Sequence, residues 1–339
     1  MDIDTLQSVA CAIVAKQKGV LAADESNPTI QKRFESIKTE STEASRRRYR
    51  EILFTAEGIE RYVGGVILFD ETLRQSTREG IPFPTLLASR GIIPGIKVDK
   101  GAKALALCPG DTVTEGLDGL RDRLVEYKQL GAQFAKWRAV IDIDDDSLPS
   151  AFGIRANAHA LARYAALCQE VGLVPIVEPE VLMDGAHSIE RCEVVTAQAL
   201  EAVFTELDAH HVLLEGMLLK PNMVIPGKQC SQQASVQAVA EATLRCLKRY
   251  VPAAVPGIVF LSGGQSAEDA TDHLNAMNAM GPLPWEVSFS YGRALQAPVL
   301  EAWQGQENLA VAAQQALLKR CHLNGLARDG QYSRSMEIP

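Results

Sequence analysis

Short apolar runs alternate with longer helical segments along most of the chain. Eight such runs occur, and each ends abruptly in polar residues or glycine: 19–24, 63–70, 93–99, 134–141, 173–180, 212–222, 257–264 and 285–292. The segments between them, such as GLDGLRDRLVEYKQLGA and SVQAVAEATLRCLKRY, repeat apolar residues with the 3.6-residue period of a helix. A strand followed by a helix, repeated in this way, predicts strands that pair in parallel through right-handed crossovers.

Eight strand–helix units are the number that closes a (β/α)8 TIM barrel. We therefore predict a single α/β domain over residues 1–339, with an N-terminal extra helix over 1–18, the barrel over 19–320 and a short C-terminal tail over 321–339. An open doubly wound sheet is the alternative. It is disfavoured because no G-x-G-x-x-G follows the first strand and no linker rich in proline or serine divides the chain.

The amino-acid composition limits the kinds of molecule that the protein is expected to bind. The 34 basic and 42 acidic residues give a net charge of −8, which argues against a nucleic-acid or membrane-surface binder, so an anionic ligand needs local positive charge. Seven cysteines without a C-x-x-C pair indicate reduced thiols and a cytoplasmic location. Since no uncharged apolar run reaches the roughly 20 residues that cross a bilayer, we expect no membrane span.

Ionised side chains at the ends of the apolar runs are the strongest functional signal, because a charge in a barrel interior is costly unless it is paired or used. Seven residues share this placement: Asp24, Lys97, Lys136, Arg138, Glu178, Glu180 and Lys220. They lie within or at the ends of the runs, and we place them at the carboxyl ends of the strands, where barrel enzymes have their chemistry. The alternative is an ion-pair network that only closes the barrel mouth. Since several strands contribute such residues together, we favour a catalytic cluster.

The residue types in this cluster indicate covalent chemistry by a lysine. None of the six histidines lies in a strand run, so we expect no histidine-ligated zinc site, and lysines and carboxylates must do the acid–base work. Lys220, which follows the run MLL, is the predicted amine that attacks a carbonyl, with Lys136 and Arg138 as the cations that keep it uncharged. Glu178 or Glu180 would move protons, and we expect burial and their mutual repulsion to raise their pKa values.

Two glycine turns resemble phosphate cradles. The seventh run ends LSGGQSAED and the eighth ends SYGRALQ, so glycines precede a helix start in both, where backbone N–H groups are exposed. Arg293 adds a fork-shaped donor. A simple turn is the alternative. A second cationic set, Lys97 with Lys32 and Arg33, is a candidate for a second phosphate, although Lys32 is explained equally well by a solvated helix face.

Eight ordered motifs resemble those of class I fructose-1,6-bisphosphate aldolases, the metal-independent type that forms a Schiff base. They are LAADES, GGVILFDETL, GIKVDKG, FAKWR, VPIVEPE, LLKPNM, FLSGGQS and SYGRALQA. The resemblance runs from about residue 19 to about residue 330. It implies a lyase of glycolysis and gluconeogenesis that takes a sugar bisphosphate as substrate and needs no cofactor or metal. By analogy with the family, it also implies a homo-oligomer, a tetramer.

The resemblance also implies a role for each residue. Lys220 would form the Schiff base, Glu178 would act as the main general acid and base, and Asp24 would take the proton of the C4 hydroxyl. Lys136 would stabilise charge beside them. The supporting and phosphate-binding residues would be Glu180 and Arg138, then Ser262, Gly263, Gly292 and Arg293 at the 1-phosphate, and Ser26, Arg33 and Lys97 at the other end of the sugar.

Two departures from the family pattern leave alternatives open. Asn27 and Pro28 follow LAADES where many members have Thr-Gly, which removes an N–H donor near the 6-phosphate. Many members also end in a tyrosine that assists proton exchange at C3, whereas the last tyrosine here is Tyr332, so we expect slower exchange or another group. A Schiff-base lyase for a different phosphorylated ketose and a barrel with an inactive site are the competing readings.

Overall fold

The computed structural model describes residues 2–144 and 147–338. Eight parallel strands form a barrel: β1 Gly19–Ala23, β2 Val63–Leu68, β3 Ile93–Lys97, β6 Phe134–Ile141, β7 Val174–Val181, β8 Leu218–Leu219, β9 Gly257–Phe260 and β10 Glu286–Tyr291. The barrel closes in the order β1-β10-β9-β8-β7-β6-β3-β2. Each of the eight apolar runs contains one barrel strand, so the predicted α/β barrel is confirmed. The strands read as continuous apolar runs because both of their faces are buried.

Twelve α-helices are found in the described residues, and most of them surround the barrel. They are α1 Ile3–Ile13, α2 Asn27–Glu35, α3 Glu43–Thr55, α4 Asp70–Leu73, α5 Phe83–Ser89, α6 Leu120–Gln129, α7 Ala151–Glu170, α8 Ile189–Ala209, α9 Val236–Tyr250, α10 Ala267–Ala279, α11 Arg293–Trp303 and α12 Ala310–Arg328. Within the described residues, none of these helices combines the length and the apolar character that crossing a membrane requires.

Helix α1 packs against the amino-terminal ends of the strands. Its buried residues Leu6, Ala10 and Ile13 join the apolar side chains that fill the barrel. The contact requires glycine at position 64, because a Cβ there would lie 2.2 Å from the carbonyl oxygen of Ile13. The helix ends at Ile13, before the predicted boundary at residue 18. One end of the barrel is thus closed by apolar packing, which leaves the carboxyl ends of the strands for a site.

Two elements depart from the sequence prediction. An antiparallel hairpin of β4 (Ala102–Ala104) and β5 (Thr112–Thr114) follows β3 and was not predicted, because β4 is fully exposed and carries no apolar pattern. Thr114 holds the hairpin by donating a 2.7 Å hydrogen bond to the carbonyl of Arg138. Helix α12 continues past residue 320, where the sequence analysis ended the barrel, because Cys321 and Ala327 are buried against the outer helices.

Candidate active site

Four strands bring the central charged residues together. Lys136 is the third residue of β6, so it does not stand at the carboxyl end of its strand as the sequence suggested; Glu178 lies within β7, and Asp24 directly follows β1. Lys220 follows the two-residue strand β8, and its backbone N–H donates a 2.8 Å hydrogen bond to the carbonyl of Val177. This bond extends the pairing of β8 with β7 by one residue. The sequence places Lys220 at a strand end, and the hydrogen bond to β7 fixes the position of Lys220 along the barrel axis.

These side chains form one connected ion-pair cluster. The Lys220 Nζ lies 3.2 Å from Oε1 of Glu178, and the Lys136 Nζ lies 3.3 Å from Oε2 of the same carboxylate. Lys136 also lies 2.7 Å from Asp24 Oδ2 and 3.8 Å from Asp99 Oδ2. The side chains of Lys220, Lys136 and Glu178 are each no more than 5% exposed. Glu178 therefore lies between two amines in a site that largely excludes water.

The cluster keeps its carboxylates ionised. Burial alone would raise the pKa of Asp24, but the positive charges of Lys136, Lys220 and Lys97 lower that pKa well below its usual value. Burial acts against the ionised form of Glu178 as well, yet Lys136, Lys220 and Arg138 lower its pKa. The expectation that the pKa of Glu178 is raised was therefore wrong, because the nearby positive charges outweigh the effect of burial. The amines lie close enough for their attraction to exceed the desolvation cost.

Lys136 is the charged centre of this arrangement. Burial alone would lower the pKa of its amine, but Asp24, Glu178 and Asp99 raise that pKa far above its usual value. The group that contacts the Lys220 amine directly is the carboxylate of Glu178, whereas the sequence analysis expected a cation there. Lys136 contacts the other oxygen of the same carboxylate, so Glu178 lies between the two amines.

Glu180 and Arg138 form a separate pair at the rim. The Nε of Arg138 donates a hydrogen bond to Oε2 of Glu180, and the Arg138 side chain is 40% exposed. The sequence left open whether Glu178 or Glu180 moves protons. Because Glu180 is bonded to Arg138 and Glu178 contacts Lys220, the geometry favours Glu178.

All thirteen residues singled out as site residues line a single cavity of about 300 Å³ at the carboxyl ends of the strands. They are Asp24, Ser26, Arg33, Lys97, Lys136, Arg138, Glu178, Glu180, Lys220, Ser262, Gly263, Gly292 and Arg293. Lys32 is exposed on α2. Among the described residues, the cavity lining includes neither Lys32 nor Tyr332, and it includes none of the six histidines. Tyr332 lies beside α10, and its hydroxyl donates to Glu337.

The two glycine turns lie side by side on this cavity. Gly263 and Gly264 have φ angles of +58° and +86°, which strain any residue with a side chain, so the run of glycines is a backbone requirement. Gly292 and Arg293 begin α11 at the neighbouring strand end. The backbone N–H groups of a helix start therefore lie beside an arginine, an arrangement that suits a phosphate.

A second cation at this turn was missed by the sequence analysis. The Nζ of Lys228 lies 2.9 Å from Asp184 Oδ1, and both side chains line the cavity. A Cβ on Gly264 would lie 2.9 Å from the Lys228 Nζ and 3.5 Å from Nη1 of Arg293, so both cations face the same glycine. Asp184 and Lys228 come from loops 44 residues apart, and no pattern in the sequence links them.

Two further acids, Glu25 and Asp99, form ion pairs with the cations on the side of the cavity opposite the glycine turns. Glu25 is buried between Arg33 and Arg50, with 2.7 Å to Nη2 of Arg50, and Gln296 donates to it at 2.9 Å. Asp99 lies 3.6 Å from Lys97. Asp99 stands two residues after Lys97, so the alternation of side chains along a strand could have placed it on the same face as Lys97. Glu25 directly follows Asp24, and nothing in the sequence links it to its partner Arg50 on α3.

The proline that departs from the family pattern is accommodated. Pro28 lies in the first turn of α2, where the backbone N–H has no partner within the helix. Ser26 precedes the helix, and its hydroxyl lies 3.1 Å from that of Thr29. Proline is therefore tolerated in α2 at this position, and Ser26 and Thr29 both line the cavity.

Comparisons with known proteins identify the family to which this barrel belongs. The family model described as fructose-bisphosphate aldolase class-I matches residues 5–338, and the chain belongs to that family. It is 57% identical over 333 residues to the probable fructose-bisphosphate aldolase class 1 of Xylella fastidiosa (strain 9a5c), covering 98% of this chain and 99% of that one. It is 52% identical to human fructose-bisphosphate aldolase C, covering 98% and 92%.

A solved structure matches over the same extent. This is the ternary co-crystal structure of fructose-bisphosphate aldolase from Plasmodium falciparum in complex with TRAP and a small molecule inhibitor. The TM-score is 0.96 at 50% sequence identity, and the alignment covers 98% of this chain and 96% of that one. The family and the enzyme class that the sequence motifs predicted are thereby confirmed.

Proposed function

We propose that the chain cleaves fructose 1,6-bisphosphate reversibly to dihydroxyacetone phosphate and glyceraldehyde 3-phosphate through a Schiff base on Lys220. The observation that carries this proposal is the position of the amine. It is buried at the floor of the cavity, 3.2 Å from Glu178, so a carboxylate lies where a proton must be removed and returned. Membership of the aldolase family supports the substrate, and the two glycine turns with their neighbouring cations on the cavity agree with it.

The covalent step needs Lys220 and Glu178. The charged amine passes one proton to Glu178 and attacks the C2 carbonyl carbon, and the attacking nitrogen then gives a second proton to the C2 oxygen, which forms a neutral carbinolamine. Glu178 returns a proton to the C2 oxygen, which leaves as water, and the C=N bond forms. The protonated imine nitrogen then withdraws electrons from the C3–C4 bond. The pairing of Glu178 with two amines suits a group that alternates between base and acid.

The cleavage step needs Asp24. Its carboxylate removes the proton of the C4 hydroxyl, the C4–O bond becomes the aldehyde carbonyl, and the electron pair of the C3–C4 bond forms a neutral enamine with C2 and the nitrogen. Lys136, 2.7 Å from Asp24, keeps that carboxylate ionised before substrate arrives. We assign Arg138 and Glu180 a supporting role at the rim.

The two ends of the substrate are assigned to the two cationic sides of the cavity. Ser262, Gly263, Gly292 and Arg293 bind the 1-phosphate, and Lys228 joins them as a further cation. Ser26, Arg33 and Lys97 bind the other end. Because Arg33 is paired with Glu25, Lys97 with Asp99 and Lys228 with Asp184, the charges of these three cations are partly compensated, whereas Arg293 has no ion pair among the described residues. We therefore expect the 1-phosphate to contribute more binding energy than the 6-phosphate.

Borohydride trapping tests the proposal directly. Reducing the enzyme with dihydroxyacetone phosphate bound converts the imine to a stable amine, and peptide mapping locates the adduct. We expect the adduct on Lys220, none in Lys220→Met, and full labelling in the control Lys103→Met, whose lysine lies on the exposed strand β4. Label that persists in Lys220→Met, or that maps to another lysine, contradicts the assignment.

Substrate preference is tested by kinetics. Loss of one phosphate contact costs several-fold to a hundred-fold in kcat/KM, so a ketose with one phosphate is a weaker substrate than fructose 1,6-bisphosphate. A higher kcat/KM for a one-phosphate or seven-carbon ketose would instead favour the competing lyase, and no turnover of any of them would favour an inactive barrel. Activity that survives excess chelator supports chemistry without a metal ion.

We further propose a cytoplasmic homo-oligomer. All seven cysteines are free thiols, four of them buried, which agrees with a reducing compartment. The tetrameric state is taken from the family. Light scattering on the purified full chain tests the state directly, and a monomeric mass at micromolar concentration would exclude it.

A further inference from the structure

Two outer helices place three potential metal ligands side by side, away from the barrel cavity. His159 lies on α7, Glu206 lies in the last turn of α8, and His210 caps the end of α8. One possible ligand atom from each side chain lies within 4.8 Å of the other two. Among the residues that the structure describes, this is the one cluster of histidine, cysteine and acidic side chains close enough to hold a metal ion.

The hydrogen bonds of the cluster prepare it for a metal ion. The Nδ1 of His210 lies 2.8 Å from the backbone carbonyl oxygen of Glu206, which only accepts, so this nitrogen carries the hydrogen and Nε2 keeps its lone pair. Metal-binding histidines use their other nitrogen in this way. The Nδ1 of His159 lies 3.0 Å from Glu206 Oε2, where a cation would replace the shared proton.

The helices hold this geometry with little freedom. Glu206 and His210 stand four residues apart on one helix face, and α7 packs against α8 along much of its length. The rings of His159 and His210 are 5.0 Å apart between centroids. Because the His210 nitrogen that lies 3.6 Å from Glu206 Oε2 is the hydrogen-bonded Nδ1, coordination through Nε2 needs side-chain rotations of His210 and Glu206, while the packed helices keep the backbone in place.

The ligand types select the kind of metal. Two imidazoles and one carboxylate suit Zn²⁺ and the neighbouring divalent transition ions, whereas Ca²⁺ and Mg²⁺ prefer oxygen ligands alone. The side chain of His159 is 52% exposed, and both histidines line a surface cavity of about 820 Å³. Solvent therefore reaches the cluster, and three protein ligands leave a coordination position for water.

We propose that His159, Glu206 and His210 bind one Zn²⁺-type divalent transition ion, which joins α7 to α8 and keeps a position open to solvent. The site is independent of the lysine chemistry, since none of its ligands lines the barrel cavity. A histidine–glutamate hydrogen-bond network without metal is the alternative outcome.

Binding of the bare metal ions to the full chain tests the proposal. After chelator treatment and buffer exchange, Co²⁺ is titrated and followed by its visible absorption, Zn²⁺ competes for the site, and Cu²⁺ is examined by electron paramagnetic resonance. We expect one ion per chain, displaced by Zn²⁺, with two imidazole nitrogens in the Cu²⁺ spectrum. His159→Ala and Glu206→Gln should each weaken binding by more than about tenfold.

A matched control lies on the same turn. His211→Asn removes a neighbouring histidine outside the cluster, and asparagine tolerates the φ of +56° found there, so binding should be unchanged. Unaltered circular dichroism and aldolase activity in each variant show that the fold is intact. Absence of binding by the wild-type chain, binding that survives His159→Ala and Glu206→Gln, or a cobalt–thiolate band that assigns the ion to a cysteine would each overturn the proposal.

Discussion

Replacing Lys136 with methionine tests the electrostatic design of the site. The substitution keeps most of the length of the side chain and removes the charge that contacts all three of Asp24, Glu178 and Asp99, which lie 2.7, 3.3 and 3.8 Å from its nitrogen. The Lys136 side chain is 4% exposed, so water cannot take over its role. The variant therefore leaves buried carboxylates without their main counter-charge.

The expected loss of stability is large. Breaking a buried ion pair by removing one partner costs about 3–5 kcal/mol. An unfolding entropy of about 2.1 cal/mol/K per residue amounts to about 0.7 kcal/mol/K for 339 residues, so the melting temperature should fall by roughly 4–7 °C. Loss of the positive charge next to Asp24 should also lower kcat by about 10²–10³.

The stability difference between Lys136→Met and the wild type should change with pH. In the wild type the pKa values of Asp24 and Glu178 are lowered, so both carboxylates stabilise the fold above their unfolded pKa values of about 3.9 and 4.3, and this contribution is lost as the pH falls further. Without Lys136, burial raises these pKa values. The variant should then gain stability relative to the wild type as the pH falls from 7 toward 5.

Scanning calorimetry at several pH values and steady-state kinetics measure these effects. Lys103→Met, on the exposed strand β4, is the matched control and should melt like the wild type. Adding Asp24→Asn to Lys136→Met should restore part of the lost stability, because one uncompensated carboxylate is removed. An unchanged melting temperature in Lys136→Met, or no recovery in the double variant, would show that Lys136 is not the main counter-charge of these carboxylates.

Three other substitutions give independent checks. Lys228→Met removes a cation beside Gly264, so the KM for fructose 1,6-bisphosphate should rise about three- to tenfold with little change in kcat, and an unaltered KM in steady-state assays would exclude Lys228 from phosphate binding. Burial lowers the pKa of His273 to about 4, below its unfolded value of about 6.5, so the wild type should lose stability as the pH falls from 6.5 toward 4. Urea unfolding of His273→Asn across this range should show a smaller dependence on pH, and an equal dependence would rule out His273 as its source. Gly64→Ala should destabilise the fold by about 1–3 kcal/mol in urea unfolding, because the new Cβ would lie 2.2 Å from the backbone of α1, and a wild-type midpoint would argue against that packing.

The barrel and the central residues were readable from the sequence for one physical reason. A parallel strand is buried on both faces, so it leaves a continuous apolar run, and a charge at its end stands out against that background. Lys220, Glu178 and Asp24 were located in this way. The exposed hairpin β4–β5 has no such run, and it was missed.

Tertiary structure decided what depends on distances between strands and loops. The pKa of Glu178 is lowered because two amines lie within 3.3 Å of its oxygens, and the sequence alone pointed to the opposite shift. Lys228 meets Asp184 only because two loops meet above the barrel. Apolar periodicity along the chain determined which elements form and which residues stand at their ends. Electrostatic energies vary steeply with separation in a medium without water, so the charge state of the site was determined only by the folded structure.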